Sequence, residues 1–206
     1  MRLLQYIKFI LILTLLFVIM TAGLITYFIF QLPDDSILQK YKPNVMTRIH
    51  ASNGELVREF SREYRIFIPI NDVPKDVRNA FISAEDKNFY RHYGVDPTGI
   101  LRALVKNIYN IFTDKRPEGA STITQQVAKN FLLSDELSIT RKIKEGLLAL
   151  KIDRTLSKDR ILELYLNQIY LGSGTYGIAA ASNRYFKKSL SDLTIPEMAF
   201  LAALPK

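Results

Sequence analysis

The segment from Phe9 to Leu32 contains no Asp, Glu, Lys or Arg. As an α-helix it would be about 36 Å long, enough to cross a hydrocarbon core of about 30 Å. Arg2 and Lys8 precede this segment, and Asp34 and Asp35 follow it. The positive-inside rule therefore predicts a single-pass anchor, with its N-terminus in the cytoplasm and the rest of the chain on the other side of the membrane.

A cleaved signal peptide is the alternative to an anchor. The segment is long for a signal peptide, and no Ala-x-Ala-like ending precedes Leu32, so an uncleaved anchor is favoured. The net charge of +8 favours anionic partners. Beside a membrane anchor, these are acidic lipid or a phosphorylated substrate rather than nucleic acid. The chain has no Cys and only two His, which excludes thiolate metal sites and argues against a His-rich one.

A β-hairpin is predicted shortly after the anchor. Asn53 and Gly54 stand between two mixed apolar–polar runs, at 45–51 and 56–70. Asn-Gly is the strongest short hairpin signal, because a type I′ turn needs positive φ at both central residues. The chain then divides into a cytoplasmic tail at 1–8, a transmembrane anchor at 9–32, a linker and hairpin region at 33–74, and a helical domain at 75–206.

From Pro74 onward the pattern predicts helices almost throughout. Apolar residues from Val77 to Ala84 recur at helical spacing, which predicts a first helix over 75–92. Ser, Thr and Pro at suitable positions open the later helices. These are predicted over about 97–112, from Ser121 or Thr122 to about Leu132, over 139–156, over 158–170, and after the Thr194–Glu197 capping box. Lys206 directly follows an apolar helix, and we expect a longer parent protein to continue beyond it.

The stretch from Glu85 to Gly94 combines an acidic pair with an aromatic ring and an imidazole. In a continuous helix, Glu85, Phe89 and His92 fall at i, i+4 and i+7 and share one face. A carboxylate in such surroundings suits a tuned general base. The other interpretation is an exposed acidic helix end with a buried Phe89, because structural networks also perturb carboxylates. These residues alone leave both interpretations open.

A second stretch, Gly119–Gln126, is dense in hydroxyl and carboxamide groups. Gln125, Gln126 and Lys129 lie within about one helical turn. Such groups suit sugar hydroxyls, which both donate and accept hydrogen bonds. A capped, polar helix N-terminus explains the same composition equally well, since Ser and Thr favour N-cap positions.

A third stretch places Arg141, Lys144 and Glu145 at i, i+3 and i+4 on one helix face. Two cations beside a carboxylate can bind a diphosphate. The alternative is a solvated helix face with an Arg141–Glu145 pair worth only about 0.3–0.5 kcal/mol. On composition alone, the solvated face is the better interpretation.

Taken together in this order and spacing, five blocks resemble the conserved blocks of one family. They are Glu85-Asp86-x-x-Phe89-x-x-His92-x-Gly94, Gly119–Gln126, Arg141–Glu145, Ile161–Gly172 and Tyr176–Phe186. The family is that of the family 51 peptidoglycan glycosyltransferases, the N-terminal module of class A penicillin-binding proteins that also occurs as a monofunctional enzyme. The resemblance covers about residues 45–206. Two positions depart from it: Lys187 stands where Gly often follows, and Gly146 lies inside a helix.

The resemblance implies a mainly α, lysozyme-like fold behind a single transmembrane helix and a small β-hairpin. It implies polymerisation of lipid II, a disaccharide-pentapeptide on undecaprenyl diphosphate, into β-1,4-linked glycan with inversion and release of the lipid diphosphate. The implied place is the bacterial plasma membrane, with the catalytic domain on its periplasmic or extracellular face. The implied partners are the growing glycan strand, membrane lipid and other cell-wall synthesis proteins.

The resemblance also implies roles for single residues. Glu85 matches the catalytic base, and Glu145 matches a second glutamate that orients cations or assists departure of the diphosphate. Lys129, Arg141 and Lys144 match the cations that bind this group. Further substrate-binding positions are Asp86, Phe89 and His92, of which the last two would form the wall around Glu85, and Ser121, Thr122, Gln125 and Gln126, which would contact saccharide.

Two rival functions stay open. A membrane-anchored, lysozyme-like glycan-cleaving enzyme would also need a catalytic Glu in a helical domain. It would have no need of a cationic cluster, because its substrate has no diphosphate. A non-catalytic cell-wall binding module would be favoured by the loss of Glu85 or Glu145, and both are present. The sequence indicates no required cofactor, and it leaves open whether Mg²⁺ or Mn²⁺ takes part.

Overall fold

The computed structural model of the chain describes residues 2–39, 41, 47–53, 56–60, 64–113, 115–133 and 138–205. Most of these residues are helical. The helices are α1 (Arg2–Phe30), α2 (Ser36–Gln39), α3 (Lys75–Glu85), α4 (Pro97–Thr113), α5 (Ile123–Leu132), α6 (Ile139–Thr155), α7 (Lys158–Gln168), α8 (Ile178–Phe186) and α9 (Ile195–Ala202). The strands are β1 (Thr47–His50), β2 (Leu56–Phe60), β3 (Tyr64–Arg65) and β4 (Thr175–Tyr176). The predicted mainly α fold is confirmed.

Helix α1 is the predicted apolar N-terminal helix. From Gln5 to Phe30 it is long and apolar enough to cross a membrane, and its side chains are exposed along most of that length. Its last turns pack against α6, where Phe28 is buried. Just beyond α1, Asp35 accepts from the Lys151 Nζ at 2.8 Å and from the Thr155 Oγ1 at 3.0 Å. The apolar helix is therefore tied to the domain through α6.

The strands form two small sheets. β1 and β2 pair antiparallel, with Thr47 opposite Phe60 and an irregularity between Ile49 and His50. This pairing is that of the predicted hairpin, while the predicted turn residue Gly54 lies outside the described residues. β3 and β4 pair parallel over two residues each. Because β4 lies between α7 and α8, this short pairing connects the hairpin region to the helical domain.

The core of the helical domain is built around α7. Its apolar residues are buried on several sides, since α5 and α8 both pack against it. The rings of Phe81 from α3 and Tyr165 from α7 meet edge to face at 6.4 Å. Asn167, at the end of α7, accepts from the backbone N–H of Ile68 and donates to its carbonyl oxygen, each at 2.8 Å. The helical packing thereby fixes the segment that precedes α3.

The prediction of a helix over 75–92 is wrong at its C-terminal end. α3 stops at Glu85, and Asp86 leaves the helical region with φ −154° and ψ 76°. The Asp86 carboxylate accepts from the His92 Nε2 and from the backbone N–H of Ile123 at the start of α5. If the helix continued through His92, the side chains of Asp86 and His92 would point in different directions. The hydrogen bonds of the buried Asp86 carboxylate therefore override the local helical pattern.

Gly94 occupies a position that only glycine fits. Its φ is +86°, and a Cβ built there would lie 2.3 Å from the carbonyl oxygen of Ala149 in α6. The Gly94 carbonyl accepts from the Thr122 Oγ1 at 2.5 Å. The loop after α3 is therefore pressed directly between α5 and α6.

The substitution Gly94→Ala is expected to lower the free energy of unfolding by about 2 kcal/mol or more, because the left-handed backbone alone costs roughly 1–2 kcal/mol for other residues. Urea denaturation of the two proteins measures this difference. Gly119→Ala is the matched control, since nothing lies within 4 Å of its added Cβ. Equal losses in both variants would contradict the close approach at Gly94.

Candidate active site

A cavity of about 670 Å³ opens between the end of α3, α4, the start of α5 and the first half of α6. It is strongly polar. Its basic side chains outnumber its carboxylates by two to one, which favours an anionic ligand. The charged lining residues are Lys87, Arg102, Lys106, Lys129, Arg141 and Lys142 on the basic side, and Glu85, Glu118 and Glu145 on the acidic side.

The fold brings most of the predicted site residues to this one cavity, although they come from three helices. Those that line it are Glu85, Ser121, Gln125, Gln126, Lys129, Arg141 and Glu145. The predicted residues Asp86, Phe89, His92, Thr122 and Lys144 do not line it. The two groups differ in what their side chains contact.

Glu85 is the last residue of α3 and is half-buried at the cavity wall. Burial raises the pKa of its carboxyl group; a hydrogen bond donated by the Gln126 Nε2 at 2.6 Å opposes this, and the nearby charge of Asp86 adds to it. Burial raises the pKa of the Tyr165 hydroxyl, and the charge of Glu85 adds to this. A carboxylate with a raised pKa, open to a cavity on one side, has the properties of a general base.

Glu145, from α6, also lines the cavity; it is 2% exposed and lies beside two cations. Its Oε2 accepts from the Lys142 Nζ at 2.7 Å, and its Oε1 lies 3.2 Å from the Arg141 Nε. The Lys142 Nζ also donates to the Ser121 Oγ at 2.8 Å, which joins α6 to the start of α5. A buried carboxylate is stable here because two basic groups neutralise it.

Lys142 is the residue that the sequence interpretation missed. Around α6, Lys142 lies about 60° to one side of Glu145, whereas Lys144 lies about 100° to the other side of Glu145 and about 160° from Lys142. The signal was present, because Lys142 stands at i−3 from Glu145 and such pairs meet on a helix. Lys144 is half-buried and is not brought to the cavity.

Lys129 extends from the last turn of α5 into the cavity. Its side chain is half-buried. Among the residues that the structure describes, no carboxylate pairs with its ammonium group. A half-buried cation without a partner can contribute its full charge to an anionic ligand.

Asp86, Phe89 and His92 lie behind the cavity and support it. His92 and Asp86 are both buried and are joined at 2.9 Å. Phe89 is completely buried, with the Lys158 Nζ 4.8 Å from its ring centre. The predicted common face of Glu85, Phe89 and His92 does not form, because α3 ends at Glu85. These residues hold the chain after Glu85 in place rather than forming its wall.

The Gly119–Gln126 stretch divides between a helix cap, which is observed, and residues that line the cavity. Thr122 caps α5: its Oγ1 accepts from the backbone N–H of Gln125 at 3.1 Å, and the Gln125 Oε1 accepts from the backbone N–H of Thr122 at 2.9 Å. This is a capping box. Ser121 and Gln126, on either side of it, face the cavity and make the contacts with Lys142 and Glu85.

The site can therefore supply a base and a cationic cluster to one bound molecule. In the part of the chain that the structure describes, no three His, Asp or Glu side chains are placed together to hold a metal ion. The anionic groups of a ligand would meet Lys129, Arg141 and Lys142, and a hydroxyl of the ligand would meet Glu85. Hydrogen bonds from such cations to an anion are stronger than hydrogen bonds between neutral groups.

Sequence comparison relates this chain to known proteins. The family described as Transglycosylase matches residues 53–206. A penicillin-binding protein 1A from Rickettsia bellii is 54% identical over 199 residues, covering 95% of this chain and 25% of that protein. A penicillin-binding protein 1A from Neisseria gonorrhoeae is 51% identical over 185 residues, covering 90% of this chain and 23% of that protein. The chain thus spans about a quarter of the length of these relatives.

Among solved structures, the crystal structure of penicillin-binding protein 1A from Haemophilus influenzae is similar to this chain. The sequences are 25% identical, and the match covers 80% of this chain and 14% of that one, with a TM-score of 0.36. Such a score is too low to bear on the fold, so the family relationship rests on the sequence matches.

The Glu85 carboxyl is expected to titrate above the range of an ordinary glutamate, and Gln126→Ala is expected to move its pKa higher still. The sign follows from the hydrogen bond, because Gln126 stabilises the charged form and its loss favours the protonated form. Carboxyl-carbon NMR titration of labelled protein measures both values. A lower pKa in Gln126→Ala than in the unchanged chain would contradict this account.

Proposed function

The chain belongs to the transglycosylase family, and from this premise we propose that it polymerises lipid II into β-1,4-linked glycan strands in bacterial cell wall synthesis, releasing undecaprenyl diphosphate. The observation that carries this proposal is one cavity with Glu85 on α3 and a cationic cluster on α5 and α6. A glycosyl transfer that expels a diphosphate needs both a base and a place for the leaving anion.

Glu85 is proposed as the base. It takes the proton from the 4-hydroxyl of the acceptor sugar while that oxygen attacks the anomeric carbon of the donor. The hydrogen bond from Gln126 holds the Glu85 carboxylate in one orientation. Its raised pKa brings the carboxylate closer in proton affinity to the hydroxyl that it must deprotonate.

The leaving group departs on the opposite face of the sugar, as inversion requires. The bond from the anomeric carbon to the diphosphate oxygen breaks, and its electron pair stays on the diphosphate. Lys129, Arg141 and Lys142 are proposed to bind that developing charge. Glu145 acts as a positioning residue, because it holds the side chains of Arg141 and Lys142 together within the cavity.

Saccharide contacts are proposed for Ser121, Gln125 and Gln126. Their hydroxyl and amide groups can both donate to and accept from sugar hydroxyls. Gln125 is partly committed to the capping box of α5, so it offers only its remaining hydrogen-bonding capacity. Ser121 and Gln126 are tied to charged residues of the site, which fixes where a sugar would meet them.

The membrane is proposed to hold the site close to its lipid substrate. α1 would cross it once, with the N-terminus in the cytoplasm and the helical domain outside, as the charges flanking α1 indicate. Confining enzyme and lipid substrate to one surface raises their effective concentration. The growing glycan strand, membrane lipid and other cell-wall synthesis proteins are the proposed partners.

A glycan-cleaving enzyme remains the second candidate function, because it too would use a half-buried Glu. The cavity cations Lys129, Arg141 and Lys142 argue against it, since finished glycan has no diphosphate to bind. Incubating the chain with lipid II and, separately, with finished peptidoglycan distinguishes the two functions. Polymer from lipid II supports the transferase, and release of soluble fragments from peptidoglycan supports the hydrolase.

Glu85→Gln is expected to reduce polymerisation at least 100-fold, in line with the roughly 10²–10⁴-fold contribution of a general base. The fold should remain at least as stable at neutral pH, because a carboxylate that is desolvated in the folded state is replaced by a neutral amide. Gel analysis of polymer from lipid II gives the activity, and thermal unfolding checks the fold. Turnover within fivefold of the unchanged chain would remove Glu85 from the base role.

Lys129→Ala is expected to weaken binding of a prenyl diphosphate about tenfold or more, because it removes a half-buried cation that would pair with the diphosphate. Lys144→Ala is the matched control: it removes the same charge from a residue outside the cavity, and binding should change less than threefold. Calorimetric titration measures both affinities. Equal effects of the two substitutions would mean that net charge, rather than the cavity, determines binding.

A further inference from the structure

A second, apolar cavity of about 960 Å³ lies against the active-site cavity. We call it the apolar groove. One side is the loop from Arg91 into the start of α4, and the other is α6 from Ile143 to Leu150. Its main apolar lining residues are Tyr93, Val95, Pro97, Ile100, Leu147 and Leu150. Gln125 and Lys142 line both cavities, so the groove begins where the cationic cluster ends.

Gly146 lines the groove in the interior of α6. A glycine inside a helix is less favourable than alanine, so such a position needs a reason. Neither the backbone conformation nor close packing explains the glycine here. Gly146 is helical, and an added Cβ would meet only the Gln125 Nε2, at 4.0 Å. The absence of a side chain leaves open space in the groove next to Lys142.

The far end of the groove points to the apolar helix α1. From Lys142 to Leu150 it follows α6 for about 12 Å. The next residue, Lys151, pairs with Asp35 directly after α1, and the buried Phe28 of α1 lies in the contact of that helix with the domain. Tyr93 and Ile100 are exposed at the groove edge, so the apolar surface continues outward from it.

We propose that the apolar groove holds the first isoprene units of the polyprenyl chain whose diphosphate binds at Arg141 and Lys142. This inference rests on the proposed function and names where its lipid lies. The occupant must carry an anion at one end, to meet Lys142, and continue as a single apolar chain for about 12 Å along α6. A prenyl diphosphate has both features, and the groove joins a cationic site to an apolar exit.

Direct labelling tests the occupant. The chain is mixed in detergent with a polyprenyl diphosphate that carries a diazirine on the isoprene unit next to the diphosphate, irradiated, and analysed by mass spectrometry. Labels are expected within residues 91–100 and 143–150, and Gly146→Leu should reduce them at least fivefold. Labels confined to other segments would overturn the proposal. So would equal labelling of the groove by a diazirine phospholipid that unlabelled prenyl diphosphate does not displace.

Kinetics with Gly146→Leu gives a second, independent test. Its side chain occupies about the volume of the nearest isoprene unit, so KM for lipid II with a long prenyl chain should rise about tenfold. With a lipid II analogue that carries a methyl group in place of the prenyl chain, the change should stay within twofold, because no isoprene unit remains to meet the new side chain. Thr140→Leu places the same side chain at an exposed position of α6 outside the groove, and it should leave both KM values unchanged.

The outcomes separate this proposal from the function on which it rests. If the unchanged chain makes no polymer from lipid II, the proposed function fails, and the labelling result still decides whether the groove binds the prenyl chain. If it makes polymer and Gly146→Leu changes KM by the same factor for both substrates, the groove assignment alone fails. Thermal unfolding of Gly146→Leu confirms that its effects arise in the folded protein.

Discussion

The buried carboxylate of Asp86 fixes the geometry on which the active site depends. It accepts from the His92 imidazole and from the first backbone N–H of α5, at Ile123. Both partners lie outside α3, so the helix must end one residue earlier, at Glu85. The same two bonds bring the start of α5 next to that end, and Gln126 therefore reaches the Glu85 carboxylate. One hydrogen-bonded pair of buried residues thus positions the proposed base and its orienting amide together.

A second buried carboxylate organises the other side of the cavity. Glu145 would be costly to bury alone, and the paired cations Arg141 and Lys142 make its burial favourable. In return, Glu145 allows these two cations to lie close together near Lys129 without an anionic ligand present. The site therefore separates two roles by environment: Glu85 is half-buried and accepts a hydrogen bond from the neutral Gln126, whereas Glu145 is buried beside two cations. Their different surroundings suit one to accept a proton and the other to position cations.

The fold leaves space where it could have used packing. Gly146 gives up helix stability to keep the apolar groove open beside Lys142, while Gly94 is required because the loop crosses α6 too closely for a Cβ. Gly94 thus allows a close contact with α6, whereas Gly146 leaves space beside α6 open. The requirement for Gly94 can be found only from backbone geometry, and the role of Gly146 only from the shape of the surface around it.

The sequence by itself determined the apolar helix α1, the helical domain and most helix starts, because these depend on composition, period and local capping groups. The blocks that contain Glu85, Gln126, Lys129 and Glu145 were also visible in it. The tertiary structure alone decided where α3 ends, that Phe89 and His92 lie behind the cavity, and that Lys142 joins Glu145 to Ser121. The physical reason is the same in each case. A side chain's partner, distant along the chain, outweighs the local preference of the segment that carries it, and such partners become neighbours only when the helices pack.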